Sequence, residues 1–271
     1  MPELPEVETT RRGIADIVTG ARIEDVVIRN RSLRWPVPEA LPELLRGQRV
    51  QKLERRAKYL LFTFEHGTLI VHLGMSGSLR VVTAARPVEK HDHIDLLLED
   101  GRILRYKDPR RFGCMLWQPA AAGPHKLLAE LGPEPLSDAF DAGYLSEQLS
   151  RRGSAVKLAI MDQHVVVGVG NIYASEALFR SAIHPERAAN SLKKQEIVAL
   201  VAAIKATLAD AIAAGGTTLR DYVDSTGNPG YFLLQTYAYG RTDEACRQCG
   251  TPISEIRQGQ RATFFCRQCQ K

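Results

Sequence analysis

Four cysteines in the last 26 residues, arranged as Cys246-x2-Cys249 and Cys266-x2-Cys269, constrain this chain more than any other feature. A two-residue gap lets both sulfurs of a knuckle reach one tetrahedral ion at about 2.3 Å. The sixteen residues between the pairs fall within the spacing of four-cysteine zinc sites. A segment of roughly 30 residues cannot bury a sufficient core by itself, so metal–ligand bonds must supply its folding energy. Four thiolates leave no position for water, so the expected Zn2+, one per chain, is structural and not catalytic. Disulfides and an iron–sulfur cluster are the rival uses of these cysteines. The paired spacing and a reducing compartment favour zinc. Cys114, alone in a strand pattern, reads as a small buried hydrophobe.

Upstream of the cysteines the hydrophobic period changes twice. Val7, Ile14, Ile17 and Val18 share one helical face, and Gly20 ends that helix. Seven β-patterned runs follow, over 23–28, 50–53, 59–64, 68–73, 94–98, 103–106 and 112–117. Turn signals separate them, among them the hairpin dipeptide Asp100-Gly101. Strands with short turns and no helix between them predict a β-sandwich or barrel of about 130 residues. Gly132-Pro133-Glu134-Pro135 reads as a linker. Segments 141–151, 154–162 and 172–181 then read as helices, and the longest helix spans 191–214 before Gly215-Gly216. The expectation is a multi-domain α+β chain. It comprises a β-sandwich over 1–132, a linker over 133–150, a helical domain over 151–236 and a zinc ribbon over 237–271.

The net charge is only +5, so its distribution matters more than its size. Residues 46–58 hold six cations against Glu54, and residues 102–111 hold five against Asp108. Such clusters suggest a phosphate-rich partner, and solvated basic faces explain them equally well. No apolar stretch reaches the length of a membrane span. The acidic, proline-broken start Met1-Pro2-Glu3-Leu4-Pro5-Glu6 is the opposite of a secretory signal. The expectation is a cytoplasmic protein.

Removal of Met1 would make Pro2 the first residue, with a secondary amine of pKa about 8 against about 10.4 for lysine. Such an amine can attack a sugar carbon and form an iminium intermediate. Glu3 and Glu6 place carboxylates beside it, as proton donor and orienting group. The alternative is an ordinary helix start, in which acids complement the macrodipole. In the cysteine module, Gln258-Gly259 reads as a hairpin turn, which puts Arg261 at a metal-fixed tip, suited to holding a phosphate bidentately.

The start MPELPEVETTRRGI resembles the N-terminus of the bacterial formamidopyrimidine-DNA glycosylases. RRAKYLL (55–61), HLGMSGSLR (72–80), KHDHID (90–95), DPRRFG (108–113), GVGNIYASE (168–176) and GGTTLRDY (215–222) resemble further motifs of that family, in its order. The resemblance spans essentially the whole chain. It implies a two-layered β-sandwich, a helix-two-turns-helix domain and a zinc ribbon. The implied activity is base-excision repair: removal of oxidised purines such as 8-oxoguanine from duplex DNA, then β,δ-elimination at the abasic site. The resemblance makes Pro2 the nucleophile, Glu3 the proton donor that helps open the sugar, and Glu6 a positioning carboxylate. It makes Lys58 the lysine assisting β-elimination and Arg261 the ribbon arginine tied to the flanking phosphate and to δ-elimination. Asn171 shares that phosphate clamp, and His91, Arg110 and Arg152 are further DNA contacts. Met75, Arg110 and Phe112 match the triad that fills the void left by an extruded base. Asp224 to Tyr231 lies where the family carries its lesion-capping loop. The implied partner is damaged double-stranded DNA, bound by a monomer.

Two rival readings stand beside this one. The endonuclease VIII-like class shares the N-terminal proline chemistry and favours oxidised pyrimidines; the Met75/Arg110/Phe112 combination argues for the purine enzyme. A non-enzymatic zinc-ribbon DNA binder is the other, and the intact Pro2-Glu3-x-x-Glu6 start argues against it.

Overall fold

The computed structural model describes residues 2–216 and 232–271. In chain order its elements are α1 (Leu4–Val18), β1 (Ile23–Ile28), α2 (Leu41–Leu45), β2 (Lys52–Arg56), β3 (Tyr59–Phe64), β4 (Gly67–His72) and β5 (Ser78–Thr83). Next come β6 (Asp92–Leu98), β7 (Arg102–Lys107), β8 (Cys114–Pro119), α3 (Lys126–Ala129), α4 (Ala142–Ser150), α5 (Val156–Ile160) and α6 (Asn171–Arg180). The chain closes with α7 (Lys194–Ala213), β9 (Ser254–Gln258) and β10 (Arg261–Phe265). The described residues divide into two compact units, 2–129 with 215–216, and 130–214 with 232–271.

In the first unit two antiparallel sheets, β1-β6-β7-β5 and β2-β3-β4-β8, share one core. Alternation along β3 turns Leu60, Phe62 and Phe64 inward, to meet Leu96, Leu98 and Leu104 of the other sheet within that core. Full burial of each such side chain contributes about 1.5–3 kcal/mol. Helix α1 adds Val7, Ile14 and Val18 to the same core. It ends where Gly20 takes a φ of 82°.

The expected sandwich is present with eight strands among the described residues, one more than the pattern predicts. The extra strand, β5, emerges directly from the Gly74–Gly77 turn and carries Arg80 among its apolar residues, which blurs its period. It lies at a sheet edge, where half-burial gives the weakest alternation. The last sandwich strand begins at Cys114 and not at Phe112, because Arg111, with a φ of 58°, still belongs to the preceding turn.

In the second unit α7 buries Ile197, Leu200, Val201, Ile204 and Leu208 and packs on α6. Helix α5, two turns over 161–170 and α6 form the helix-two-turns-helix. Helix α4 occupies part of the 133–150 stretch expected as linker, capped by Asp141, whose Oδ1 accepts from the Tyr144 amide at 2.7 Å. The cysteine module is packed into this unit. Phe179 of α6 shares a small core with Ala238, Ile253, Phe264, Cys246 and Cys266. At the tip of the β9–β10 hairpin Gly259 and Gln260 both have positive φ, 50° and 64°. That is the two-residue turn whose twist suits a hairpin. The turn is therefore one residue later than the expected Gln258-Gly259, and Arg261 opens β10 paired with Gln258.

Candidate active site and nucleic-acid interface

At the start of α1, Pro2, Glu3 and Glu6 are all buried. Glu6 Oε2 accepts from the Glu3 amide at 2.7 Å, one residue from the Pro2 nitrogen. This is the helix-capping role, and it fixes the Glu6 carboxylate at the chain's beginning. Gly216, with a φ of 82°, approaches Glu6 so closely that a Cβ there would lie 3.1 Å from Glu6 Oε1. Lys58 is also buried, 7% exposed, and follows Ala57, which adopts a left-handed φ of 55°. A residue with a Cβ holds that conformation only where its surroundings impose it.

Glu8, one turn further along α1, collects three guanidinium groups. Arg11 Nη2 and Arg12 Nε each lie 2.9 Å from its Oε1, and Arg55 Nε lies 3.1 Å from its Oε2. Burial pushes the Glu8 carboxyl up, but the Arg11 and Arg12 hydrogen bonds and the Arg11 and Arg55 charges outweigh it and hold the pKa at about 2.

A second cluster in the same unit surrounds Asp108, which is completely buried. Its Oδ2 accepts from the Gly113 amide at 2.9 Å and from Tyr106 Oη at 3.3 Å, and its Oδ1 accepts from the Arg110 amide at 3.2 Å. His93 Nε2 meets the Asp108 carbonyl oxygen at 2.8 Å. His93 is thus tied into the loop scaffold, while the His91 carbonyl receives the Asp108 amide at 3.1 Å. The Met75 turn is packed directly on this loop: a Cβ on Gly74 would fall 2.4 Å from the Gly113 nitrogen. Only glycine permits that approach. The structure therefore brings Met75, Arg110 and Phe112 together, with Met75 37% and Phe112 44% exposed and the Arg110 guanidinium 4.9 Å from the Phe112 ring centroid.

His72, at the foot of the Met75 turn, accepts the Gly74 amide on Nδ1 at 2.9 Å. Burial first, then the charges of Lys58 and Arg34, push its pKa down to about 4, so the ring is neutral at pH 7. Burial likewise raises the Cys114 thiol to about 11, in keeping with an inert hydrophobe.

In the second unit Asn171 is the first residue of α6, and both ends of its amide are engaged. Nδ2 donates to the Ala262 carbonyl at 2.9 Å, and Oδ1 accepts from Lys157 Nζ at 2.6 Å. Lys157 is 1% exposed and also donates to Thr263 Oγ1 at 2.6 Å and the Ala262 carbonyl at 3.2 Å. Asn171 is thereby fixed beside the strand that begins with Arg261. Arg261 itself is exposed, with no ion-pair partner among the described residues. Arg152 makes a 3.4 Å contact to Asp162. Glu176, buried on α6, accepts the amides of Tyr237, Ala238 and Tyr239 at 2.8, 2.9 and 2.8 Å and so anchors the entry to the cysteine module.

The sulfurs of Cys246, Cys249, Cys266 and Cys269 all lie within 4.8 Å of one another. Tetrahedral coordination at about 2.3 Å separates sulfurs by about 3.8 Å. The Cys246–Cys269 and Cys249–Cys266 pairs, at 3.9 and 3.5 Å, bracket that value and exceed a disulfide bond of about 2.05 Å. The residues fit a structural metal ion with a closed shell.

The basic clusters do not decide between the two readings open for them. Arg46 pairs with Asp25, Arg49 with Glu99, Lys52 with Glu54 and Arg55 with Glu8. Arg102 pairs with Asp100, Arg105 with Asp95, and Lys107 with Glu89. Most of those cations are neutralised by acids of the same unit, so cluster density alone does not identify a partner. Sequence reasoning also passes over Asp108, His72, Lys157, Glu176 and the Glu8–Arg55 pair. For Asp108 a signal existed, since an acid inside a run of arginines next to a glycine invites a loop-organising role. The expected lesion-capping loop, Asp224 to Tyr231, and most of GGTTLRDY lie outside the described residues.

A β-sandwich that raises an arginine–aromatic pair on rigid turns, together with a helix-two-turns-helix joined to a four-thiolate ribbon, defines the architecture of a class of DNA glycosylases. Three family models cover nearly the whole chain. They are the formamidopyrimidine-DNA glycosylase N-terminal domain over residues 1–115, its H2TH domain over 131–223, and the zinc finger found in FPG and IleRS over 243–271. The formamidopyrimidine-DNA glycosylase of Stutzerimonas stutzeri is 57% identical over 273 residues, covering 100% of both chains. That of Shewanella woodyi is 54% identical over 270 residues, covering 100% of this chain and 99% of the other. Among solved structures, a Lactococcus lactis FPG mutant in complex with Fapy-dG containing DNA matches with a TM-score of 0.92 and 35% identity, covering 100% of both chains. The MutM (FPG) protein of Thermus thermophilus matches with a TM-score of 0.89 and 38% identity, covering 99% of this chain and 98% of the other. The chain belongs to the formamidopyrimidine-DNA glycosylase family.

Proposed function

We propose that this chain is a bifunctional DNA glycosylase and abasic-site lyase that removes oxidised purines, formamidopyrimidines and 8-oxoguanine, from duplex DNA. The observation that carries the reading is the intact Pro2-Glu3-x-x-Glu6 start, buried at the head of α1 in a chain that matches named glycosylases end to end.

Once Met1 is removed, the Pro2 nitrogen attacks C1′ of the damaged nucleotide, and the base departs with the electron pair of the glycosidic bond. Glu3 donates the proton that helps open the sugar, leaving an iminium between Pro2 and C1′. Glu6, fixed by its bond to the Glu3 amide, orients this end of the chain. Lys58 assists the β-elimination that breaks the C3′–O bond. Arg261 and Asn171 grip the flanking phosphate and favour the δ-elimination that follows. Met75, Arg110 and Phe112 occupy the space the extruded base leaves, because an unfilled gap in the stack costs a few kcal/mol. His91 and Arg152 add contacts to the DNA. One zinc ion held by Cys246, Cys249, Cys266 and Cys269 keeps the Arg261 hairpin rigid. The enzyme acts as a monomer in the cytoplasm on damaged double-stranded DNA.

An incision assay tests the substrate class. A duplex with 8-oxoguanine opposite cytosine should be cut to a one-nucleotide gap with phosphate on both ends. Faster cutting of a duplex carrying an oxidised pyrimidine would move the enzyme to the endonuclease VIII-like class.

A further inference from the structure

Arg55 is bonded at once to two segments that the mechanism needs to hold together. Its Nε donates to Glu8 Oε2 at 3.1 Å, and its Nη1 donates to the Ala57 carbonyl at 3.0 Å. Glu8 lies on α1, six residues after Pro2, and Ala57 immediately precedes Lys58. Ala57 has the left-handed φ of 55° that an alanine does not adopt unaided. A planar guanidinium with its donors in a rigid fork suits such a two-point connection better than an ammonium does. Arg55 is itself half-buried, so the fork is shielded from competition by water.

We propose that Arg55 is a positioning residue that sets the register between the Pro2 end of α1 and Lys58 by bracing the Ala57 turn against Glu8. The proposal rests on the reading of Pro2 as nucleophile and Lys58 as the lysine of elimination. Its consequence is for rate and not for affinity. Imine formation and elimination depend on sub-ångström placement of amine, sugar and lysine, whereas DNA is held by contacts elsewhere.

The Glu8 cluster supplies an internal control. Arg11 donates to Glu8 through Nη2 at 2.9 Å and through Nε at 3.1 and 3.3 Å, so it pairs with the same carboxylate without a bond to the Ala57 turn. Arg55→Met leaves Glu8 paired with Arg11 and Arg12, and Arg11→Met leaves it paired with Arg55 and Arg12. Loss of one ion pair is therefore common to both variants, and loss of the brace belongs to Arg55→Met alone.

The test is single-turnover borohydride trapping by the full-length, zinc-loaded protein on a duplex with one abasic site, where no base excision precedes the imine. Arg55→Met should trap about 10- to 100-fold more slowly than wild type, with affinity for the same duplex within about threefold. Arg11→Met should stay within about twofold of wild type in both. Arg55→Lys, which keeps the charge but not the fork, should fall between, and it serves alone if Arg55→Met does not fold. Equal trapping rates for Arg55→Met and Arg11→Met would overturn the proposal. So would a defect confined to affinity, or a wild-type rate in Arg55→Lys. The underlying reading fails separately: undiminished trapping by Pro2→Gly, or undiminished strand cleavage by Lys58→Ala, would remove it whatever Arg55 does.

Discussion

The loop that carries Phe112 and the hairpin that carries Arg261 both raise an exposed side chain from β-structure, and they are held by different forces. The Phe112 loop sits on a sandwich large enough to bury a core of its own, so hydrogen bonds to Asp108 and the Gly74–Gly113 contact suffice to shape it. The Arg261 hairpin belongs to a module with only a few apolar residues, and four thiolates do what a core cannot. Lys157 and Glu176, both buried, then tie that module to the helical segments through five hydrogen bonds to residues 237–263. The contrast teaches that a small module can present a residue as rigidly as a large domain, at the cost of dependence on a metal.

The largest effect should follow from breaking the metal side of the comparison. Cys249→Ser, or removal of zinc by a chelator, withdraws binding free energy on the order of 10 kcal/mol from the ribbon. The hairpin should unfold and DNA affinity drop at least about 100-fold, while the sandwich keeps its own melting transition. Calorimetry with zinc analysis checks this, and a zinc-free protein of normal affinity would contradict it.

Asp108→Ala attacks the other side. It deletes the acceptor for the Gly113 and Arg110 amides and the Tyr106 hydroxyl and should destabilise the sandwich by about 3–5 kcal/mol. Urea unfolding should show this loss in the first unit with zinc retained in the second. A loss below about 1 kcal/mol would mean that the loop is shaped by packing alone.

A smaller, pH-dependent difference separates the two regions further. His72 has its folded-state pKa lowered from 6.5 to about 4, so between those values the unfolded chain binds a proton that the folded chain refuses. Stability of the sandwich should therefore fall as pH drops from 6.5 towards about 4, by roughly 2 kcal/mol after screening, and level off below. His72→Gln should flatten this slope. Glu8 works lower: its depressed pKa of about 2 gives a contribution that is full above 4.5 and is lost as pH falls through about 2. Unfolding midpoints taken across pH 3–7 distinguish the two groups.

The elements that carried a local signal were legible from the chain alone. The long α7 face, the strand alternation and the cysteine spacing each follow from residues close in sequence. Several of the missed features depend on partners far apart. Glu8 meets Arg55 across 47 residues, and Lys157 meets Thr263 across 106. No periodicity records such pairs. The pairing inside the basic clusters was hidden for the same reason, since the acids that neutralise Arg46, Arg49 and Lys107 lie on other strands or loops. Strand β5 escaped because an edge strand leaving a glycine turn shows little alternation. The grouping of Met75, Arg110 and Phe112 was carried by family resemblance alone, and its physical basis, two turns in glycine–glycine contact, is visible only in three dimensions.

The central claim is that the N-terminal proline is the nucleophile of a DNA glycosylase. The most direct measurement is borohydride reduction during turnover of a duplex with 8-oxoguanine opposite cytosine, followed by mass spectrometry of the cross-linked peptide. The account predicts one cross-link, on the peptide that begins with Pro2, and none in a protein that retains Met1, whose Pro2 nitrogen is an amide. A cross-link on Lys58, or trapping undiminished when Met1 is retained, would contradict it.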